Sequence, residues 1–101
     1  MSSLPPLGLG AAALLAWADA QKPDLTHAAV AAKIGVTPST FHEWVTATWL
    51  DGSLPGALNR QKIETVTDGA VPASLFDKDD LRRLEARMAL RAQRATPGGA
   101  A

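Results

Sequence analysis

Apolar residues recur at helical spacing along most of the chain, and turn-forming residues separate these stretches. The first stretch, residues 11–21, is rich in alanine and places Leu14, Trp17 and Ala18 on one helical face. Pro23 disfavours helical backbone at the residue before it. We therefore predict a first helix that ends ahead of this proline.

Two further helices are predicted on either side of a glycine turn. Thr26 carries a hydroxyl that can cap the second helix, which continues to Gly35, a residue that tolerates left-handed backbone. Thr37 and Pro38 form a start signal for the third helix, a capping hydroxyl followed by proline at the first helical position. We expect this third helix to reach Thr46 or slightly beyond.

A fourth helix is predicted after the loop that contains Gly52. It begins at Pro55 or Gly56 and ends before Gly69. Its apolar positions are Leu58, Ile63 and Val66.

The rest of the chain divides into a connector and a last helix. Residues 69–76 are interpreted as extended, because Pro72 excludes a central strand and the segment is short. Its residues that should pack on the core are Val71, Leu75 and Phe76. Residues 77–95 begin with aspartates and end with arginines, a charge order that suits the dipole of a C-terminal helix.

The residues around the glycine turn meet the packing requirements of a helix-turn-helix. Two short helices that cross steeply need a small residue near the contact and apolar residues around it. Ala31 is the small residue, Gly35 makes the turn and Val36 lies beneath it. The other apolar positions are Val30 and Ile34 before the turn and Phe41 and Trp44 after it.

With these positions, residues 14–45 resemble the Cro and lambda-repressor-like class of phage and bacterial regulators. The shared pattern is a small-residue helix, a Gly-Val turn, a Ser or Thr cap, and an aliphatic residue with a Trp after it; in this chain the last two positions are Phe41, which is aromatic, and Trp44. Residues 55–75 extend the resemblance to short prophage Cro-like proteins, including antitoxin-type members. The matching positions of that segment are Pro55, Ile63, Glu64, Thr67, Gly69 and Val71.

The resemblance implies an all-α bundle that binds double-stranded DNA as a homodimer and regulates transcription, as a repressor that occludes a promoter. The helix after the turn would enter the major groove. The expected base-reading residues are Pro38, Ser39, Thr40, His42 and Glu43. Hydroxyl, imidazole and carboxylate groups can bond to base edges, although the common Arg and Gln contacts are missing.

Contacts to DNA phosphates are expected from helix N-termini and from basic side chains near the motif. The candidates are Thr26, His27, Lys33, Thr37, Arg60 and Lys62.

Charge weakens the DNA-binding interpretation and keeps an alternative open. The formal net charge is zero, and residues 1–55 carry two more acidic than basic groups, so no basic surface is evident. The alternative is a protein-interaction module that binds a regulator or toxin. A dimer or partner face could be formed by Trp49, Leu81, Leu84 and Met88; Trp49 could equally cover the core edge.

A row of arginines in the last helix has three possible roles. Arg83, Arg87 and Arg91 share one side of the helix. They could form a solvated face, contact the DNA backbone, or pair with acidic residues of a second chain.

The sequence shows no chemistry of catalysis, metal binding or cofactor binding. Cysteine is absent, which excludes thiolate ligands and disulfides. His27 and His42 follow no metal-ligand spacing, and Ser39 with Thr40 is more simply polar surface than a nucleophile. We expect a non-enzymatic protein with neither metal nor small-molecule ligand.

The domain organisation that we expect is a single helical domain with short ends. It comprises a disordered lead-in (1–9), a helix-turn-helix domain (10–76), the C-terminal helix (77–95) and a disordered tail (96–101). Neither a signal peptide nor a membrane span is evident. The expected location is the bacterial cytoplasm, with the nucleoid when DNA is bound.

Overall fold

The computed structural model describes residues 6–95, which form five α-helices. This confirms the predicted all-α bundle; the tail from residue 96 and the first five residues lie outside the described part. None of the helices in residues 6–95 is long and apolar enough to cross a bilayer. The helices are α1 (Leu9–Ala20), α2 (His27–Ile34), α3 (Pro38–Val45), α4 (Ala57–Val66) and α5 (Ala73–Ala95).

The helix-turn-helix has the expected starts, turn and caps, although α3 ends at Val45, one residue before the expected Thr46. The hydroxyl of Thr26 accepts from the backbone N–H of Ala29 at 3.2 Å, and that of Thr37 accepts from Thr40 at 3.2 Å. Gly35 adopts φ 95°, a left-handed conformation that other residues rarely take. Local capping therefore fixes both helix starts and the turn between them.

All five helices or their adjoining turns contribute to one core. Trp17 and Val36 pack against its edge. Leu58, one of the three apolar positions of the fourth helix, is 65% exposed, because it lies five residues, or about 140°, around the helix from the buried Ile63. The buried cluster contains Leu14, Ala18, Val30, Ala31, Ile34, Phe41, Trp44, Val45, Ile63, Val71 and Phe76.

The prediction of a disordered lead-in is wrong for residues 6–9. The backbone N–H of Gly8 donates to the carbonyl of Ala47 at 3.0 Å, and that of Trp49 donates to Pro6 at 3.3 Å. Leu7 forms an isolated antiparallel bridge with Thr48. The lead-in is therefore hydrogen-bonded to the segment that follows α3.

The last helix begins earlier than predicted, so the expected bounds of both the connector and the helix are wrong. Helix α5 starts at Ala73, four residues before Asp77, and its first turn contains no acidic residue. The backbone N–H of Ala73 donates to the carboxylate of Glu64 at 2.8 Å. The start of α5 is thus capped by a side chain of α4, which no local pattern shows.

Asp79 joins α5 to the start of α1. Its side chain is fully buried and accepts from the backbone N–H groups of Leu9 and Gly10, at 2.8 and 2.9 Å. The N-cap residue of α1, Gly8, has no side chain that could do this. A carboxylate at a helix N-terminus satisfies its free N–H groups and interacts favourably with the helix dipole.

Close packing explains the glycines at this junction. A Cβ atom at Gly8 would lie 2.7 Å from an Asp79 carboxylate oxygen, and one at Gly10 would lie 2.3 Å from the ring of Phe76. Only glycine lets α1 approach α5 this closely.

We predict that Asp79→Ala lowers the free energy of unfolding by about 2–3 kcal/mol, because it removes two charge-assisted hydrogen bonds and leaves the amides without partners. Urea unfolding followed by circular dichroism measures the change. The matched control is Asp77→Ala, an exposed carboxylate in an ion pair, which should cost at most about 1 kcal/mol. Equal losses in the two variants would contradict the capping role.

Candidate nucleic-acid interface

Helix α3 presents a polar face to solvent and an apolar face to the core. Phe41 and Trp44 are buried, and they hold the helix on α1 and α2. The exposed residues of α3 include Pro38, Ser39, His42 and Glu43. The packing thus places four of the five predicted base-reading residues at the surface.

Thr40, the fifth, has a structural role at the helix start. It is partly buried, and its hydroxyl accepts a hydrogen bond from the hydroxyl of Thr37 at 3.0 Å. Within residues 6–95, the side chains of Ser39, His42 and Glu43 form no hydrogen bond; the hydroxyl of Thr46 donates only to the backbone carbonyls of His42 and Glu43. The groups available to an external ligand are therefore these three, and Thr37 and Thr40 first stabilise the helix.

Both lysines that were predicted to bind phosphate lie close to the motif. Lys33 and Lys62 line one cavity of about 510 Å³ between α2 and α4, whose walls include Ile34 and Leu58. A Cβ atom at Gly35 would lie 3.9 Å from the ammonium nitrogen of Lys62. The Lys62 side chain, which belongs to α4, thus reaches the turn between α2 and α3. Both lysines are exposed.

His27 faces the core and α1, which changes its expected role. Its Nε2 atom lies 2.8 Å from a carboxylate oxygen of Asp19, and its ring centroid is 5.5 Å from that of Phe41. This hydrogen bond lowers the pKa of Asp19, and Lys22, 3.4 Å away, acts in the same direction. The imidazole ties α2 to α1 through Nε2, so this nitrogen is already engaged. The first amide groups of α2 still lack helical acceptors, and a phosphate contact at the start of α2 stays a prediction.

Arg60, one of the predicted phosphate contacts, is instead engaged by groups of its own chain. Its side chain is 13% exposed, and its guanidinium forms ion pairs with Asp77 at 2.7 Å and Asp80 at 2.6 Å. Its Nε donates to the carbonyl of Pro55 at 2.8 Å. Burial opposes the charge of Arg60, but the hydrogen bonds to the two carboxylates raise its pKa. The residue connects α4 to α5.

Arg83 supports the segment after α3, a role that the sequence did not indicate. Its guanidinium donates to the backbone carbonyls of Gly52 at 2.8 Å and of Thr48 and Asp51 at 2.7 Å. It was expected only as one of a row of arginines, and spacing along a helix cannot identify carbonyl acceptors more than thirty residues away. Arg83 therefore fixes the loop that leaves the candidate interface.

Trp49 lies at the edge of this loop. It is partly buried, and the guanidinium carbon of Arg82 is 4.6 Å from its ring centroid. Cation–π contact of this kind holds an aromatic ring against a helix. In the described chain, Trp49 lies between the loop and α5 and is not among the residues that pack against the core; its place in a dimer contact stays a prediction.

The described residues do not suggest a metal site. No three His, Asp or Glu side chains gather closely enough within residues 6–95 to hold an ion.

Comparison of the chain with protein-family models, with curated proteins and with solved structures found no match.

We predict that the stabilising effect of Asp19 disappears in acid. Because its pKa is lowered in the folded chain, its contribution is fully present above the unfolded pKa, about 3.9. It is lost as the pH falls through the lower folded value. Urea unfolding should show the wild type more stable than Asp19→Asn near pH 6, with a difference that shrinks below about pH 4. A difference that stays constant over this range would contradict the prediction.

Proposed function

We propose that this protein binds double-stranded DNA through α3 and regulates transcription, as a repressor that occludes a promoter. The observation that carries the proposal is the two-sided α3. A helix-turn-helix packing buries Phe41 and Trp44, and the hydrogen-bonding groups of Ser39, His42 and Glu43 lie on the exposed side. A helix held in this way fits the major groove of B-DNA.

The three exposed side chains offer complementary hydrogen-bonding chemistry. A serine hydroxyl donates or accepts, an imidazole can do either at its two nitrogens, and a carboxylate accepts from the amino group of cytosine. None of them neutralises a phosphate. They support discrimination between bases more than they support affinity.

Affinity must come from cations near the motif and from a second subunit. Lys33 and Lys62 border the turn, where their ammonium groups can reach phosphates on either side of a bound α3. Two such contacts are few for a specific binder, and a homodimer doubles them. We therefore propose a dimer on two half-sites.

We predict a modest salt dependence of DNA binding. Each phosphate contact contributes roughly −0.9 to the slope of log K plotted against log salt concentration. Four contacts per dimer therefore give a slope of about −3.6. Fluorescence anisotropy with promoter fragments from the neighbourhood of the protein's own gene gives this slope. Lys33→Ala and Lys62→Ala should each reduce its magnitude by about 2 per dimer and weaken all DNA sequences alike.

The control for the lysine variants is Lys22→Ala, which removes the same charge from the turn between α1 and α2. Its slope should match that of the wild type. Absence of any salt-sensitive binding to such fragments, with the protein folded, would overturn the proposal.

We predict that His42→Ala changes sequence preference. If the imidazole bonds to a base edge, its removal should cost roughly 1–3 kcal/mol at one base pair of each half-site and leave nonspecific affinity unchanged. Selection from a randomised DNA library, wild type beside variant, would show one relaxed position per half-site. Lys33→Ala should preserve the preferred sequence, and identical preferences for the wild type and His42→Ala would contradict base reading by this side chain.

A protein-interaction module remains a second candidate. It is favoured by the zero net charge and by large apolar side chains exposed on α5, among them Leu81, Leu84 and Met88. Its mark would be a protein partner, such as a regulator or toxin, bound with little dependence on salt. The salt dependence of DNA binding distinguishes the two functions.

A further inference from the structure

One face of α5 is apolar and covered by nothing in the described chain. Leu81, Leu84 and Met88 are 55%, 45% and 60% exposed. The core-facing residues of the same helix, Phe76 and Asp79, are fully buried. The stripe of Leu81, Leu84 and Met88, called the apolar stripe below, is displaced from the core-facing side by about 140°. It contributes little to the fold of one chain.

The apolar stripe has the spacing of a two-helix seam. Its residues lie at i, i+3 and i+7, which correspond to the a, d and a positions of a heptad. In that register Lys78 and Glu85 occupy e positions on one side of the stripe, and Asp80 and Arg87 occupy g positions on the other. All four flanking residues are exposed.

The flanking charges distinguish between the two orientations of a helix pair. In a parallel pair, a g residue lies opposite the e residue five positions later, which would bring Asp80 against Glu85 of the second copy. In an antiparallel pair g faces g and e faces e. With Leu81 opposite Leu84 of the second copy, Asp80 then faces Arg87 and Lys78 faces Glu85.

We propose that the apolar stripe is the homodimer interface, in which α5 of two copies pack antiparallel about a two-fold axis between Arg82 and Arg83. The seam buries Leu81 and Leu84 of both copies, and each charged pair forms twice by symmetry. Asp80 can bind Arg60 of its own chain and Arg87 of the second copy together, because only one of its oxygens bonds to Arg60 and its side chain is still 54% exposed. The occupant is thus a second copy of this chain, selected by charge complementarity.

The interface is small, so the dimer is weak. The seam from Asp77 to Met88 is about 17 Å long at about 1.5 Å per residue, and contacts of this size fall below the area of a standard stable interface. We expect a monomer–dimer equilibrium in the micromolar range or weaker. The need for a second copy rests on the proposed DNA binding. The dimerisation experiments contain no DNA, so the dimer and the DNA-binding function can fail separately.

Sedimentation equilibrium of the full chain, from micromolar to millimolar concentration, tests the dimer. The wild type should dimerise reversibly, and Leu84→Glu should weaken the dimer by more than about tenfold, because it places two carboxylates in the seam. The matched control is Leu58→Glu, an exposed leucine of α4 in the cavity beside Lys62, which should dimerise like the wild type. Circular dichroism confirms that each variant is folded.

Charge exchange tests the orientation. At low salt, Lys78→Glu should weaken the dimer by about three- to tenfold, since two pairs become repulsive. The double variant Lys78→Glu with Glu85→Lys should restore it. Lys22→Glu, with the same change of net charge away from α5, should have little effect.

Three results would overturn the proposal. They are a wild type that stays monomeric at every concentration, a dimer lost in Leu58→Glu but kept in Leu84→Glu, and a double variant that dimerises no better than Lys78→Glu alone.

Discussion

The buried carboxylate of Asp79 determines where α1 begins and how closely it approaches α5. It satisfies two amide groups at the start of α1, and the glycines at positions 8 and 10 leave the space that this contact requires. A buried charge is tolerated only when hydrogen bonds replace its hydration. Asp79 belongs to α5, which follows the helix-turn-helix in sequence, and it bonds to the start of α1, which precedes it. The first and last helices of the described fold are thereby linked.

Other polar contacts of α5 hold α4 and the loop that follows α3. Arg60 of α4 pairs with Asp77 and Asp80, and Arg83 binds three carbonyls of the loop after α3. The loop also pairs with the lead-in ahead of α1. The exposed face of α3 is consequently oriented from both of its ends, by the turn at Gly35 before it and by a loop fixed on α5 after it. A rigid support of this kind is what a base-reading helix needs, since hydrogen bonds to base edges tolerate little displacement.

The sequence was informative where structure is decided by neighbours along the chain. The caps Thr26 and Thr37, the left-handed Gly35 and the buried Phe41 and Trp44 depend on residues three or four positions away, and all were predicted correctly. The errors concern contacts between distant segments. The start of α5 is capped by Glu64, the start of α1 by Asp79, and Arg60 finds its partners on α5; no periodicity contains these pairings. The exposed candidates on α3 followed from the same local pattern as the core, whereas the identity of a ligand does not follow from burial.

The distribution of arginine and lysine explains why the dimer matters for the proposed function. Arg60 and Arg83 bond to groups of their own chain, and Arg82 lies against Trp49, so these cations stabilise the fold before they can attract DNA. Lys33 and Lys62 are the cationic side chains among the predicted phosphate contacts that remain exposed at the motif. A protein with two exposed lysines at the motif in each subunit gains affinity effectively by joining two subunits, because the second then binds at a high effective concentration. The α5 face opposite Asp79 has the apolar spacing and the flanking charges for that association. In our proposal, one side of this helix therefore serves folding and the other serves assembly.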